Sequence, residues 1–571
     1  MARPALSHWP MGAVLAVFAA TAFMVPTLTS AWVADDFLYA RSVETLLDDH
    51  RLRIVNLSVA TTVVHVLWGS LYAAVFGLTP GVLRVSTVVL FAIGGLATYG
   101  LCRELDVRRG LAALGGAAFL LQPLAYVLGF SFMSDVPFTS LLTVSTFLYA
   151  RGLRRDLPAW TLAGSAAAAA AFLIRQQGIL IPLGVLTWMA CAHRLRWDRK
   201  ALAGVARVAG LPVAACIAYY VWINWFHGVP TAQTNLFREI RSAGWSGLVT
   251  TSAQMIVVEA AYVGLFVLPV AVLALVGARR LLASGPVPGR GWVVGSAWAA
   301  VVLVGVLAFA AKDRYMPYAA QFLASWGLGP SDLRGGRPPV WGDSFERGLT
   351  AVAAASAVVF GYAVALRFFR RPSSGGSVAG LVLAVGAFQA LGAIPPSLHY
   401  RIPLPAFVYV ISLDRYLLPL LPLALCLGLW AVAEARAREL WPAWAVTALF
   451  GVFAVAGTRD YLVFQREVDN LATRAIRSGI PETRLDGGAQ WTGSRLYDDR
   501  RDIPFPRPGR SWWINFFAPS IDPDHMISTR RLRGWDVVER VSYSSWLSTR
   551  PRHLVVLRRS PEPASSPQPP R

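Results

Sequence analysis

The residues able to do chemistry are few, and they fall at short breaks between long apolar blocks. In AWVADDFLYARSVETLLDD, Asp35 and Asp36 stand side by side just after the first block. Adjacent carboxylates repel, which raises one apparent pKa of the coupled pair and makes one group a proton acceptor near neutral pH. From spacing alone, Asp35 serves equally as the cap of a helix running through Tyr39, Val43 and Leu47. Asp135, in GFSFMSDVPF, stands alone between two further blocks. It too reads as a helix cap, with Pro137 in the first turn. Acidic groups at a membrane border are costly if buried, so two at one level predict a shared polar cavity or a metal site. Cations are placed to meet an anionic lipid phosphate: Arg175 in RQQG, Lys312 and Arg314 in KDRYMPY, Arg401, and Arg415 in DRYLLPLLPL. Each cation taken singly is an interfacial side chain reaching for water. Arg84 and Glu259 are weaker candidates of the same kind. The histidines show no paired spacing, and a simple interfacial or core role is favoured for each. If a divalent metal takes part, Glu44, His65 and His399 are its candidate ligands.

The elements that carry these residues are set by composition. The chain has 571 residues, 55% hydrophobic and only 15% charged. Its apolar residues gather in blocks of roughly 17 to 25, each long enough to cross a bilayer, which excludes a soluble globular enzyme and predicts a polytopic membrane protein. The net charge of +21 is arginine, since Lys200 and Lys312 are the only lysines. Those arginines lie in short clusters between apolar blocks, the pattern that encodes membrane orientation, so nucleic acid is not an expected partner. The four cysteines (Cys102, Cys191, Cys216, Cys426) show no C-x-x-C spacing and indicate neither a disulfide framework nor a thiolate metal site. The first block lacks an A-x-A cleavage site and reads as a retained signal anchor.

The clusters at 103–110, 151–156, 193–200, 278–280, 367–372 and 434–438 are separated by pairs of apolar blocks and should share the cytoplasmic side. The first loop on the other side spans 31–80. Within it, 55–77 is apolar enough to suggest a span, but Ser58, Thr61, Thr62, His65 and Gly69 recur at helical spacing. This polar stripe predicts an interfacial helix with its apolar face in lipid. With it interfacial, blocks beginning near 11, 81, 111, 136, 158, 178, 203, 253, 292, 349, 377, 416 and 441 give about thirteen spans, with the N-terminus inside and the C-terminus outside. From 458 the chain turns polar, with an amphipathic helix (Leu462, Val468, Leu471, Ile476) stopped by Gly479 and Pro481, then strand-like runs at 535–543 and 553–557. The expected organisation is a transmembrane domain over 1–457, a small α/β domain over 458–559, and a disordered tail over 560–571.

WVADDFLYARSVETLL, with FSFMSDVPFTSLLTVSTFLYARGLRR, LAGSAAAAAAFLIRQQGILIPLG and DRYLLPLLPLAL later in the chain, resembles the polyprenyl-phosphate-sugar-dependent glycosyltransferases of the GT-C class. The likeness is to family 39-like members, the protein O-mannosyltransferases and aminoarabinose transferases, and covers roughly 11–200 well and 377–457 more loosely. It implies an all-α GT-C bundle with outward juxtamembrane helices. It implies an enzyme in the cytoplasmic membrane that moves a sugar from a polyprenyl-phosphate carrier to an acceptor hydroxyl on the outer face, with inversion; the acceptor is a glycan, a lipid or a protein. On this resemblance Asp35 is the general base, Asp36 stands where the family often has Glu, and Asp135 is the acidic residue of the second outward loop. Arg175 contacts the leaving phosphate, and Arg415 and Tyr416 match an Arg-Tyr pair near the lipid cavity. The His-Pro-Pro element common in the first outward loop is absent. A transporter or lipid-linked-sugar flippase is the alternative from another class, and a scaffold presenting its C-terminal domain is a third.

Overall fold

The computed structural model describes residues 8–195, 198–278, 282, 289–319, 321–370, 377–398, 401–404, 407–410, 413–499 and 510–560. His399 and the tail beyond Ser560 lie outside the described residues, and of Arg401 only the backbone is described.

The first helices are α1 (Trp9–Phe23), α2 (Asp36–Asp48), α3 (Val63–Phe76), α4 (Pro80–Glu104), α5 (Arg109–Leu120), α6 (Pro123–Gly129), α7 (Asp135–Arg154), α8 (Pro158–Phe172) and α9 (Leu180–Cys191). They are followed by α10 (Arg199–Trp222), α11 (Thr231–Ser242), α12 (Gly244–Phe266), α13 (Leu268–Val276) and α14 (Gly289–Ala310). A loop with the short hairpin β1 (Leu323–Ala324) and β2 (Gly327–Leu328) leads to α15 (Asp343–Arg370) and α16 (Val378–Ser397). A second hairpin, β3 (Arg401–Leu404) with β4 (Phe407–Val410), precedes α17 (Leu420–Ala431) and the 37-residue α18 (Trp441–Arg477). Local sequence explains the starts: Pro80 opens α4 behind Thr79, whose side chain accepts the Val82 N–H at 3.2 Å.

Among the described residues, seven helices are long and apolar enough to cross a membrane, realising the blocks near 81, 203, 253, 292, 349, 377 and 441; the block near 111 is a pair, α5 and α6, bent by 62°. The blocks near 11, 136, 158, 178 and 416 form helices of 15, 20, 15, 12 and 12 residues. The expected thirteen blocks are therefore not thirteen long helices, because Pro123, Pro158 and Pro419 and the turn at Arg175 end or break them. Helix α3 has 14 residues, about 21 Å of rise against a hydrocarbon core of about 30 Å. His65 and Gly69 lie on its buried face while Leu71, Val75 and Phe76 are exposed; Ser58, Thr61 and Thr62, also buried, precede the helix and form no stripe along it. Where α12 meets α15, Gly264 is needed, since a Cβ there would lie 2.0 Å from the Ala353 carbonyl oxygen.

The expected boundary at 457/458 falls inside α18, which runs unbroken into the polar segment. Beyond it come β5 (Leu485–Asp486), α19 (Ala489–Leu496), α20 (Trp512–Phe517), β6 (His525–Ser528), β7 (Trp535–Tyr543) and β8 (Arg552–Arg559). The strands form one sheet in the order β5-β6-β8-β7, antiparallel except for β5 with β6. Leu485, Trp491, Ile527, Leu554 and Val556 belong to the same apolar core as the bundle. The segment is thus a layer packed on one end of the bundle, α/β as expected but continuous with it. At the other end, Glu104 receives Arg151, Arg154 and Arg155, and Arg367 meets Glu434.

Candidate active site

The end of the bundle under the C-terminal layer gathers the chemistry. Asp35 precedes the first turn of α2, but its side chain makes no cap bond. Its Oδ2 instead pairs with Arg415 at 3.1 Å, and it keeps 31% of its side-chain surface exposed. Asp36, one residue on, points the other way and is fully buried. Its Oδ1 accepts the Phe132 N–H at 2.9 Å, and Arg84 Nε lies 3.9 Å from Oδ2. Burial pushes the Asp36 carboxyl up to about 7, against the opposing pull of Arg84 and of the Phe132 hydrogen bond. Arg84 also donates to the carbonyls of Thr27, Thr29 and Ala31, so this weaker candidate is what fixes the chain leading into Asp35.

Asp135 opens α7 and is likewise not a cap, for it is buried with its Oδ1 2.8 Å from Arg175. Arg175 lies in extended backbone between α8 and a 3-10 turn at Gln176–Ile179, and its Nε donates to Ser134 Oγ at 3.1 Å. The guanidiniums of Arg175 and Arg415 each lie 5.5 Å from the ring centre of Tyr416. Tyr39 of α2 is within electrostatic reach of Asp35, Asp135, Arg175 and Arg415. The fold thus brings together Asp35, Asp36, Asp135, Arg175, Arg415 and Tyr416, drawn from four separate stretches of chain. Lys312 and Arg314 lie instead on an exposed turn after α14.

The two described metal candidates do not converge. Glu44 is exposed on α2, whereas His65 is buried, stacked on Phe132 at 4.1 Å and hydrogen-bonded to the Phe132 carbonyl at 3.1 Å. Among the described residues, no three His, Cys, Asp or Glu side chains group as metal ligands. Each carboxylate of the cluster faces a guanidinium instead, so these residues do not fit a cation cage.

Two carboxylates escaped the sequence reading. Asp414, fully buried, accepts the N–H groups of Leu323 at 2.7 Å, Phe322 at 2.9 Å and Gln321 at 3.4 Å. It ties the β1–β2 loop to the turn that holds Arg415, and burial pushes its carboxyl up to about 7 despite those donors. Its place directly before Arg415 was the available signal. Asp332 lies in the same loop, where Gln490 Nε2 donates to its Oδ2 at 3.0 Å. Nothing in GPSDLRGGRPP marked it.

This helical membrane bundle with its cluster at one end has its similarities among membrane glycosyltransferases. Residues 62–222, which contain Asp135 and Arg175, match the model of the family described as dolichyl-phosphate-mannose-protein mannosyltransferase. Among solved structures it is similar to ArnT from Cupriavidus metallidurans bound to undecaprenyl phosphate, at 15% identity and a TM-score of 0.40, covering 95% of this chain and 97% of that one. It is similar also to the oligosaccharyltransferase AglB from Archaeoglobus fulgidus, in complex with an inhibitory peptide and a dolichol-phosphate, at 14% identity and a TM-score of 0.40. That match covers 89% of this chain, which spans 62% of the archaeal enzyme's length. Arabinosyltransferase EmbB from Mycobacterium smegmatis matches at 15% identity and a TM-score of 0.31, over 87% of this chain and 45% of that one. No curated protein matches the sequence.

Proposed function

We propose that the protein transfers a sugar from a polyprenyl-phosphate carrier to an acceptor hydroxyl at the outer face of the cytoplasmic membrane, inverting the anomeric centre. The observation that carries this reading is the Asp35–Arg415 pair at 3.1 Å, part-exposed on the carboxylate side and backed by Arg175 and Tyr416. Asp35 is the one carboxylate of the three expected that a bound hydroxyl can reach, since Asp36 and Asp135 are buried. In the reaction, Asp35 takes the proton of the acceptor hydroxyl as its oxygen bonds to the anomeric carbon. The bond from that carbon to the phosphate oxygen breaks, and the departing phosphate takes the electron pair. The guanidiniums of Arg415 and Arg175 stabilise that developing negative charge. Asp36 and Asp135 are positioning residues: the first fixes Phe132 and Arg84, the second fixes Arg175. The membrane lipid supplies the donor, and the acceptor, whether glycan, lipid or protein, approaches from the side of the C-terminal layer.

The test is sugar release from polyprenyl-phosphate-linked pentoses and hexoses by purified protein in lipid, comparing wild type with Asp35→Asn and Asp135→Asn. Loss of turnover in Asp35→Asn with the folded state retained is expected. Equal turnover in wild type and Asp35→Asn would remove the assigned base.

A further inference from the structure

The reaction gives no role to the segment at 53–62, which runs from α2 into α3. We propose, resting on the reading of Arg175 as a guanidinium that meets the departing phosphate, that this segment is a strap that sets Arg175. Asp499 of the C-terminal layer is the positioning residue that holds the strap.

One end of the strap grips the backbone on both sides of Arg175. That residue leaves α8 in extended conformation, at φ −144° and ψ 137°, so the carbonyls just before it fall outside the α8 ladder. The strap and the first turn of α3 supply donors to all three. Thr61 Oγ1 donates to the Phe172 carbonyl at 2.7 Å, the Val64 N–H to Leu173 at 3.2 Å and the Thr62 N–H to Ile174 at 3.0 Å. On the far side, Gln176 Nε2 donates to the Val59 carbonyl at 2.7 Å. Thr62 sits at φ +52°, a costly conformation for a β-branched residue, which persists only where its surroundings impose it.

The other end is held by Asp499, just past α19. Its Oδ1 accepts the Asn56 N–H at 2.8 Å and the Tyr497 hydroxyl at 2.7 Å, and its Oδ2 pairs with Arg53 at 2.9 Å. Its backbone carbonyl accepts Asn56 Nδ2 at 2.7 Å. Between the two ends, the corner of α10 and α11 braces the strap: the Ile54 N–H donates to His227 Nε2 at 2.8 Å, and the Asn56 carbonyl accepts the Ala232 N–H at 2.9 Å. Asp135 and Ser134 hold the Arg175 guanidinium, whereas the strap holds the backbone that carries it. A long side chain meets a phosphate in fixed geometry only if both are held. Docking of the C-terminal layer through Asp499 thus reaches Arg175 by a continuous run of hydrogen bonds.

The test is binding of a polyprenyl phosphate, set against the uncharged polyprenol of the same length, to the full chain in lipid nanodiscs. Wild type is compared with Asp499→Ala, Asn56→Ala and the Asp135→Asn, Arg175→Gln double variant. Wild type should prefer the phosphate, and the double variant should lose about tenfold or more of that preference. Asp499→Ala should lose about tenfold of it while binding polyprenol as wild type does, and its hydrogen exchange should quicken over 53–64. Asn56→Ala leaves Asp499 its Arg53 and Tyr497 partners, so the layer keeps its fold, and should move both readouts the same way by a smaller factor. Asp499→Ala added to the double variant should cost no further preference, because the strap acts through Arg175. An unchanged preference in Asp499→Ala and Asn56→Ala, equal losses for phosphate and polyprenol, or a further loss in the double variant would each overturn the inference. A double variant with the wild-type preference, or a wild type that does not distinguish the two lipids, would instead overturn the reading of Arg175.

Discussion

Exchanging each of the adjacent carboxylates Asp35 and Asp36 for asparagine should give opposite signatures, although the two residues share a turn. For Asp36→Asn the question is whether lost attraction to Arg84 or relieved burial dominates. Its carboxyl is raised from 3.8 to about 7 with Arg84 already counted, so burial wins. A group whose folded pKa lies above its unfolded value stabilises the fold at low pH, and that stability is lost as pH rises through the folded value. A rise of about 3 units corresponds to about 4 kcal/mol between pH 3 and pH 8. Asparagine keeps the oxygen that accepts the Phe132 N–H and carries no charge to bury. Asp36→Asn should therefore unfold at the same temperature as wild type at pH 3 and at a higher one at pH 8. Asp35→Asn loses only a part-exposed ion pair, about 1 kcal/mol or less, but should lose about 10²- to 10⁴-fold in sugar release. Thermal unfolding in lipid nanodiscs at both pH values, beside sugar release, measures all of this. An Asp36→Asn that is less stable than wild type at pH 8 would refute the reasoning about burial. An Asp36→Asn as inactive as Asp35→Asn, while equally folded, would refute the division of roles.

Arg175→Gln leaves Asp135 as an unpaired buried carboxylate and should cost about 3 to 5 kcal/mol of stability; thermal unfolding should show the Asp135→Asn, Arg175→Gln double variant recovering part of it. Asp414→Asn turns an amide toward the N–H groups of residues 321–323 and should cost about 1 to 3 kcal/mol. Hydrogen exchange should then quicken at 321–336, with helices α4 and α7 unchanged.

Much of this protein was legible without coordinates. Block length against bilayer thickness gave a polytopic membrane chain, because apolar surface in long runs has one stable solvent. His65 and Gly69, four residues apart, marked the buried face of α3, and the strand-like run at 535–543 gave β7, because both periodicities are local. The candidates Asp35, Asp36, Asp135, Arg175, Arg415 and Tyr416 were also found in sequence, as polar groups whose burial cost demands a reason. Lys312 and Arg314 met the same criterion, and an exposed turn dissolved it. The tertiary structure decided pairing. No spacing says that Asp35 meets Arg415 across 380 positions while Asp36 turns back to Arg84. Nor does it say that a loop aspartate, Asp332, will be held by Gln490 from beyond the last long helix. Charge interactions depend on distance and desolvation, which are properties of the packed molecule. Hydropathy and helical period depend on neighbours along the chain, and those the sequence carries itself.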